Sequence, residues 1–185
     1  MKRRNSSSAA PAVLALAGML AAGCNPTFNW REVPLGDGLQ ALLPCKPDRA
    51  QRELDLGGQG VTLDMVGCAT GGVTFAVARM EGGASLAESQ RRLDAWRRAA
   101  RAPWRADGGV QEAPLAVPRA AAAPAAVELQ ATTPAGAGGA PQPVRMRWFA
   151  QAEAGGRYVL YQATMLGTAA DPQAAETFWE GLRLR

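Results

Sequence analysis

Histidine is missing from this chain of 185 residues, and its absence removes several kinds of active site. Without it the chain has no Ser-His-Asp or Cys-His nucleophile pair and no imidazole acid–base catalyst. A Ser-Lys pair would have to use Lys46, the one lysine beyond residue 23, which lies in a predicted turn between Cys45 and Pro47. We therefore expect a non-enzymatic protein with no catalytic residues.

Paired carboxylates and metal clusters are the other routes to catalysis. The acidic residues are scattered, and Asp64, Glu128 and Glu180 occupy polar phases of predicted strands or helices, which indicates solvated positions. Zinc prefers four Cys or His ligands, and the chain has no paired cysteine motif. The Gly-rich stretches lack the Gly-Lys-Ser/Thr ending of a P-loop. We expect neither a metal nor a cofactor.

The first 23 residues have the order of a secretory signal peptide. Three basic residues within Met1–Ser8 precede an apolar run from Ala9 to Leu20, which is shorter than the roughly 20 residues that span a bilayer. The sequence Leu-Ala-Ala-Gly-Cys ending at Cys24 resembles a bacterial lipobox, although Ala21 stands where leucine is commoner. In that signal the cysteine is acylated and becomes the first mature residue. An ordinary cleaved signal with a chance cysteine is the alternative.

The resemblance implies a protein held in the bacterial envelope by membrane lipid on Cys24. Asn25 in the next position is similar to lipoproteins of the outer membrane, so we expect a periplasm-facing location there. Removal of residues 1–23 leaves 17 basic and 16 acidic residues, a net charge of +1. Such a nearly neutral chain does not favour nucleic acid as a partner.

With Cys24 assigned to lipid, Cys45 and Cys68 remain in an oxidising compartment, and we predict a disulfide between them. The chain-entropy model assigns such a bond roughly 3 kcal/mol of stabilisation.

Five tryptophans are many for so small a domain. Trp96, Trp148 and Trp179 lie on apolar stripes, which indicates core packing. Trp30 and Trp104 lie outside the predicted elements, where an exposed ring could bind a glycan or a peptide.

A candidate interaction surface lies on the polar side of the first predicted helix. It consists of Arg91, Arg98 and Arg101, with Trp104 just beyond the helix. An envelope protein or anionic lipid head groups would suit this surface. An ordinary solvated helix face is the alternative.

The chain organisation is predicted as a lipidated N-terminus and tether over 24–38 and a single domain over 39–185. Period-two apolar patterns broken by glycine pairs indicate antiparallel strands. The apolar parity changes near Gly67, which suggests a bulge. An apolar run over 158–165 indicates a central strand, and the Ala/Pro/Gly-rich segment 103–124 is predicted as a long connection.

Two helices complete the predicted α+β fold. Ser85 and Glu88 form a capping-box pattern before a helix that runs to about Arg101. Asp171 precedes Pro172 at the start of a second helix, whose apolar stripe includes Phe178.

The segment Leu-Leu-Pro-Cys-Lys-Pro over 42–47 and the C-terminal pattern from Phe178 to Leu184 resemble the start and end of Mog1p/PsbP-like domains, and the mature chain resembles uncharacterised bacterial lipoproteins. The resemblance implies an α/β sandwich in which two main helices pack on an antiparallel sheet. It implies no shared catalytic set. We therefore expect an interaction or accessory module of the envelope. The alternative is a small-ligand or glycan binder with a pocket between sheet and helix.

Overall fold

The computed structural model describes residues 27–102, 109–133 and 140–185. These residues form a mixed α+β fold with two helices and a large antiparallel sheet, which confirms the predicted fold class. The predicted signal peptide, Cys24 and Trp104 lie outside the described residues. Within the described ranges, no helix is both long enough and apolar enough to cross a membrane.

The described elements follow one another along the chain in a simple order. They are β1 (Arg31–Leu35), β2 (Leu39–Leu43), β3 (Asp48–Asp55), β4 (Gly60–Thr70), β5 (Val73–Gly83), α1 (Leu86–Arg101), β6 (Gln111–Pro114), β7 (Val127–Thr132), β8 (Pro143–Ala152), β9 (Tyr158–Leu166), α2 (Pro172–Glu180) and β10 (Arg183–Leu184).

The strands form two antiparallel sheets. The large sheet has seven strands in the order β3–β4–β5–β9–β8–β7–β6, and the small sheet has three in the order β1–β2–β10. The predicted central strand is confirmed, since β9 pairs with β5 on one side and with β8 on the other.

Both faces of the large sheet are covered, because successive side chains of a strand point to opposite sides. On β5, Phe75 and Val77 join a core shared with the small sheet and α2. Ala78 and Met80 join a second core beneath α1, which contributes Trp96. The protein therefore has three layers, with α1 on one face of the large sheet and the small sheet and α2 on the other.

The bulge predicted near Gly67 is wrong. The pairing of β4 with β5 runs without a shift through Val66, Gly67 and Cys68. Apolar side chains shift from odd to even positions along β4 because the strand is covered by different layers. Leu63 packs under α1, whereas Val66 packs toward the small sheet. The irregularity in this part of the sheet instead lies at Glu81 and Gly83, between β5 and β9.

Both helix starts are confirmed. The backbone N–H of Glu88 donates to the Ser85 hydroxyl at 3.2 Å at the start of α1. The Asp171 carboxylate accepts from the backbone N–H of Gln173 at 2.9 Å, and Pro172 occupies the first position of α2. These caps satisfy amide groups that have no partner within their own helix.

Two segments predicted to lack regular structure contain strands. Residues 31–35 of the predicted tether form β1, which pairs with β2 and buries Val33 and Leu35, so this part of 24–38 belongs to the folded domain. The predicted connection over 103–124 contains β6, which is exposed along its length and pairs with β7. Its four residues have no apolar alternation, and the free edge of β7 supplies the hydrogen bonds that make it a strand.

The predicted disulfide between Cys45 and Cys68 is present, with a Cα–Cα distance of 5.9 Å. It joins the segment after β2 to the interior of β4 and therefore connects the small sheet to the large one.

Candidate binding site

The surface predicted on α1 is brought together only in part. Arg91 and Arg98 are exposed and line a common cleft of about 760 Å³. The same cleft is lined by the acidic residues Asp55, Glu88 and Asp94. Arg101 instead forms an ion pair with Glu112 of β6 at 3.0 Å, and Trp104 lies outside the described residues.

Two further arginines of α1 are also paired with acids. Arg92 contacts the carboxylate of Glu88 at 2.7 Å, and Arg97 contacts Glu112 at 2.8 Å. The surface of α1 therefore has mixed charge, which makes it a weaker site for an acidic partner than the sequence indicates.

The predicted packing of three tryptophans is confirmed. Trp148 is fully buried, Trp96 is 2 % exposed and Trp179 is 7 % exposed. Trp30 is half-buried beside Phe28, with their ring centroids 6.0 Å apart.

A cavity of about 800 Å³ lies between β8, α2 and the C-terminal strand. We call it the Arg–Trp pocket. Its lining consists of Ala116, Val117, Pro118, Arg119, Arg145, Arg147, Phe149, Glu176, Trp179, Glu180, Leu182, Arg183 and Leu184.

Strand β8 and helix α2 position the central residues of the pocket. Arg145, Arg147 and Phe149 alternate along β8 and therefore point to the same face of the large sheet. On that face Trp179, in the last turn of α2, lies under both guanidinium groups. The Arg147 Cζ atom is 4.4 Å from the centroid of the Trp179 ring, and the Arg145 Cζ atom is 5.2 Å from it. Both distances are within the range of a cation–π interaction.

Glu128 on β7 holds the two arginines in place. Its Oε2 atom accepts from Arg147 Nε at 2.7 Å and lies 2.8 Å from Arg145 Nη2. Gln130 Nε2 donates to the other carboxylate oxygen at 2.8 Å. Glu128 is 9 % exposed, so the solvated position predicted for it is wrong. Asp64 remains partly exposed and Glu180 is exposed.

The ion pairs keep Glu128 charged. Burial acts to raise the pKa of this carboxyl group, but hydrogen bonds from Arg145, Arg147 and Gln130 outweigh it and leave the pKa below its ordinary value. Two guanidinium groups thus face one carboxylate, and this cluster has a net charge of +1.

Glu128→Gln should lower the free energy of unfolding at pH 7, because it removes the counter-charge of two arginines. A carboxyl group whose pKa is lowered by folding stabilises the fold above its unfolded pKa, here near 4.5, and that stabilisation is lost as the pH falls through the folded pKa. The difference in free energy of unfolding between wild type and the variant should therefore become smaller at acidic pH. Urea unfolding at several pH values measures it, with Glu180→Gln as an exposed control. A difference that is independent of pH would contradict this role of Glu128.

The Arg–Trp pocket was not predicted from the sequence, because polar residues that alternate on a strand normally indicate a solvated face. The one available signal is Phe149, which interrupts the polar phase begun by Arg145 and Arg147. An aromatic residue in that phase indicates that something covers this face of β8.

The described residues offer limited groups for acid–base or metal chemistry. Within the described ranges, no cluster of three or more His, Cys, Asp or Glu residues is placed to hold a metal ion. Burial raises the pKa of Tyr161 to about 12, so its hydroxyl stays protonated at neutral pH and donates to Gln151 Oε1 at 3.3 Å. Lys46 is exposed.

Comparison with known proteins finds no matching family model, no matching curated protein and no matching solved structure. The geometry and the sequence motifs are therefore the basis for a functional assignment.

Proposed function

We propose that this protein is a lipid-anchored, non-enzymatic binding module of the bacterial envelope, and that it takes up a small ligand in the Arg–Trp pocket. Its fold is proposed to be a Mog1p/PsbP-like α/β sandwich, which agrees with helices packed on both faces of an antiparallel sheet.

The pocket is the observation that carries the ligand-binding role. Its volume of about 800 Å³ falls within the range of roughly 300–1,000 Å³ that is usual for small-molecule sites. Apolar atoms make up most of its surface, with Ala116, Val117 and Pro118 among the accessible lining residues, and Arg145 and Arg147 add a few positioned polar groups. That composition is typical of ligand sites. The mixed charge of α1 makes a protein-docking role for that helix less well supported.

The non-enzymatic role is supported by the lack of histidine in the whole chain and by the state of Glu128. Three hydrogen-bond donors hold its carboxylate in the ionised form, which does not suit a general acid.

The proposed anchor is supported by the N-terminal sequence. Basic residues, an apolar run and the lipobox-like segment ending at Cys24 occur in the order that export and acylation require. Asn25 supports sorting to the outer membrane, with the domain facing the periplasm. A disulfide between Cys45 and Cys68 suits that oxidising compartment.

Mass spectrometry of the purified protein tests both parts of the proposal. Protein from envelopes should give an acylated N-terminal peptide that begins at Cys24. For ligand retention, the mature chain 24–185 is exported with Cys24→Ser, so that no detergent competes for the pocket. Its native spectrum should show a retained small molecule that Trp179→Ala loses.

Trp179→Phe is the matched control. It keeps an aromatic face beneath Arg147, and the buried Trp179 Nε1 atom that it removes has no hydrogen-bond partner among the described residues. The phenylalanine variant should therefore retain the ligand. An unacylated N-terminus would overturn the anchor. The absence of a retained molecule, or equal retention by Trp179→Ala, would overturn the pocket as the site.

A further inference from the structure

We propose that the Arg–Trp pocket selects a ligand with one negative charge and an apolar body, such as an alkyl or aromatic carboxylate. This inference rests on the proposed ligand-binding function and specifies the chemical class of the ligand.

The charge of the ligand follows from the ion pairs beneath the pocket. Arg145 and Arg147 share the single carboxylate of Glu128. One positive charge is therefore left without a counter-charge in a partly desolvated site. The side chains of the two arginines are 34 % and 17 % exposed, so solvent screens this charge less than it would screen a fully exposed one. A monoanion would neutralise the cluster.

The rim of the pocket adds no further net charge. Arg119 and Arg183 are exposed there, and so are Glu176 and Glu180. Two basic and two acidic side chains balance each other. The selection for a single charge therefore depends on the arginine pair and not on the rim.

Arg147 has the geometry to receive a carboxylate. Its hydrogen bond to Glu128 uses Nε, and no hydrogen bond of its two terminal nitrogens is made within the described part of the chain. A guanidinium group can bind a carboxylate through two parallel N–H donors. The Trp179 ring fixes the position of this group at 4.4 Å, which reduces the entropy lost when a ligand binds.

The apolar body of the ligand follows from the surfaces beside the arginines. Phe149, Leu182 and Leu184 are almost fully buried. The accessible apolar lining therefore includes instead the exposed Ala116 and Pro118 and the half-buried Val117. Ala116, Val117 and Pro118 line the same pocket as Arg145 and Arg147. A ligand that places its anion on Arg147 would therefore lay its chain or ring against this lining and remove it from water.

A ligand series on the unchanged mature chain with Cys24→Ser tests the charge. The probes are decanoate, decanol and decylamine, which share an alkyl chain and differ in charge at pH 7.5, each used below its micelle-forming concentration. Isothermal titration calorimetry should show decanoate binding about tenfold more tightly than decanol. Decylamine should bind more weakly than decanol, because its charge repels the arginine pair.

Arg147→Gln tests the residue. Glu128 keeps Arg145 and Gln130 as partners in this variant, so its carboxylate stays hydrogen-bonded. Decanoate should bind the variant about tenfold less tightly, while decanol binding changes little. Arg52→Gln is the control, since it removes the same charge from an exposed position on the opposite edge strand, β3.

The outcomes separate this inference from the function on which it rests. Equal binding of decanoate and decanol to the unchanged chain would overturn the anionic class and leave the pocket as a ligand site. An equal loss of decanoate binding in Arg147→Gln and Arg52→Gln would overturn the role of Arg147. If none of the probes binds and Trp179→Ala retains as much small molecule as wild type, both proposals fail.

Discussion

Phe178→Ala should lower the free energy of unfolding by about 3–5 kcal/mol, the usual loss when a fully buried phenylalanine is truncated. Phe178 has no exposed surface and lies in the core between α2, the small sheet and the large sheet. Its ring meets the edge of Phe75 with centroids 5.2 Å apart and contacts Trp179 at 4.8 Å. Truncation would therefore remove packing from the core shared by the two sheets and leave a cavity there.

Urea unfolding of the oxidised mature chain measures this loss. Leu86→Ala is the control, because Leu86 is also helical but 44 % exposed, and alanine favours the helix at least as well. The control should change stability by no more than about 0.5 kcal/mol. A loss below about 1 kcal/mol for Phe178→Ala would mean that α2 does not hold the two sheets together.

Loss of the disulfide should have the next largest effect. Replacing Cys45 and Cys68 together by alanine should cost roughly 3 kcal/mol, because the bond closes a loop with a sequence separation of 23 and restricts the unfolded chain. Alanine is preferred to serine since Cys68 is 9 % exposed and a hydroxyl there would need a partner.

Unfolding with and without a thiol reductant supplies the control. Reduction should destabilise wild type by a similar amount and leave the double alanine variant unchanged. If reduction lowers the stability of both proteins equally, the effect would not come from this bond. If neither the double alanine substitution nor the reduction of wild type lowers the free energy of unfolding, the two sheets would be held together by core packing alone.

Local sequence patterns determined several features of this protein. The cap of α1 at Ser85 and the start of α2 at Asp171 depend on residues within three positions, so they can be predicted without knowledge of the rest of the fold. Strand β9 is apolar on both faces, which indicates a central position in any sheet. The pairing of Cys45 with Cys68 was predicted because only these two cysteines remain when Cys24 is assigned to lipid.

Tertiary structure decided the features that depend on distant partners. Strand β6 has little apolar character and exists because β7 offers a free edge. The parity change at Gly67 reflects which layer covers each half of β4, and nothing within β4 itself specifies that layer.

The Arg–Trp pocket is the clearest case. Arg147 and Trp179 are 32 positions apart in sequence, and Glu128 lies on a third element. A strand pattern indicates only that Arg145 and Arg147 share a face. Whether a helix covers that face depends on where the chain packs after β9. A local sequence pattern carries no information about packing between elements that are far apart in sequence. Local periodicity therefore determined the helices and the central strand. The two arginines became part of a pocket only because Trp179 of α2 packs against them on β8.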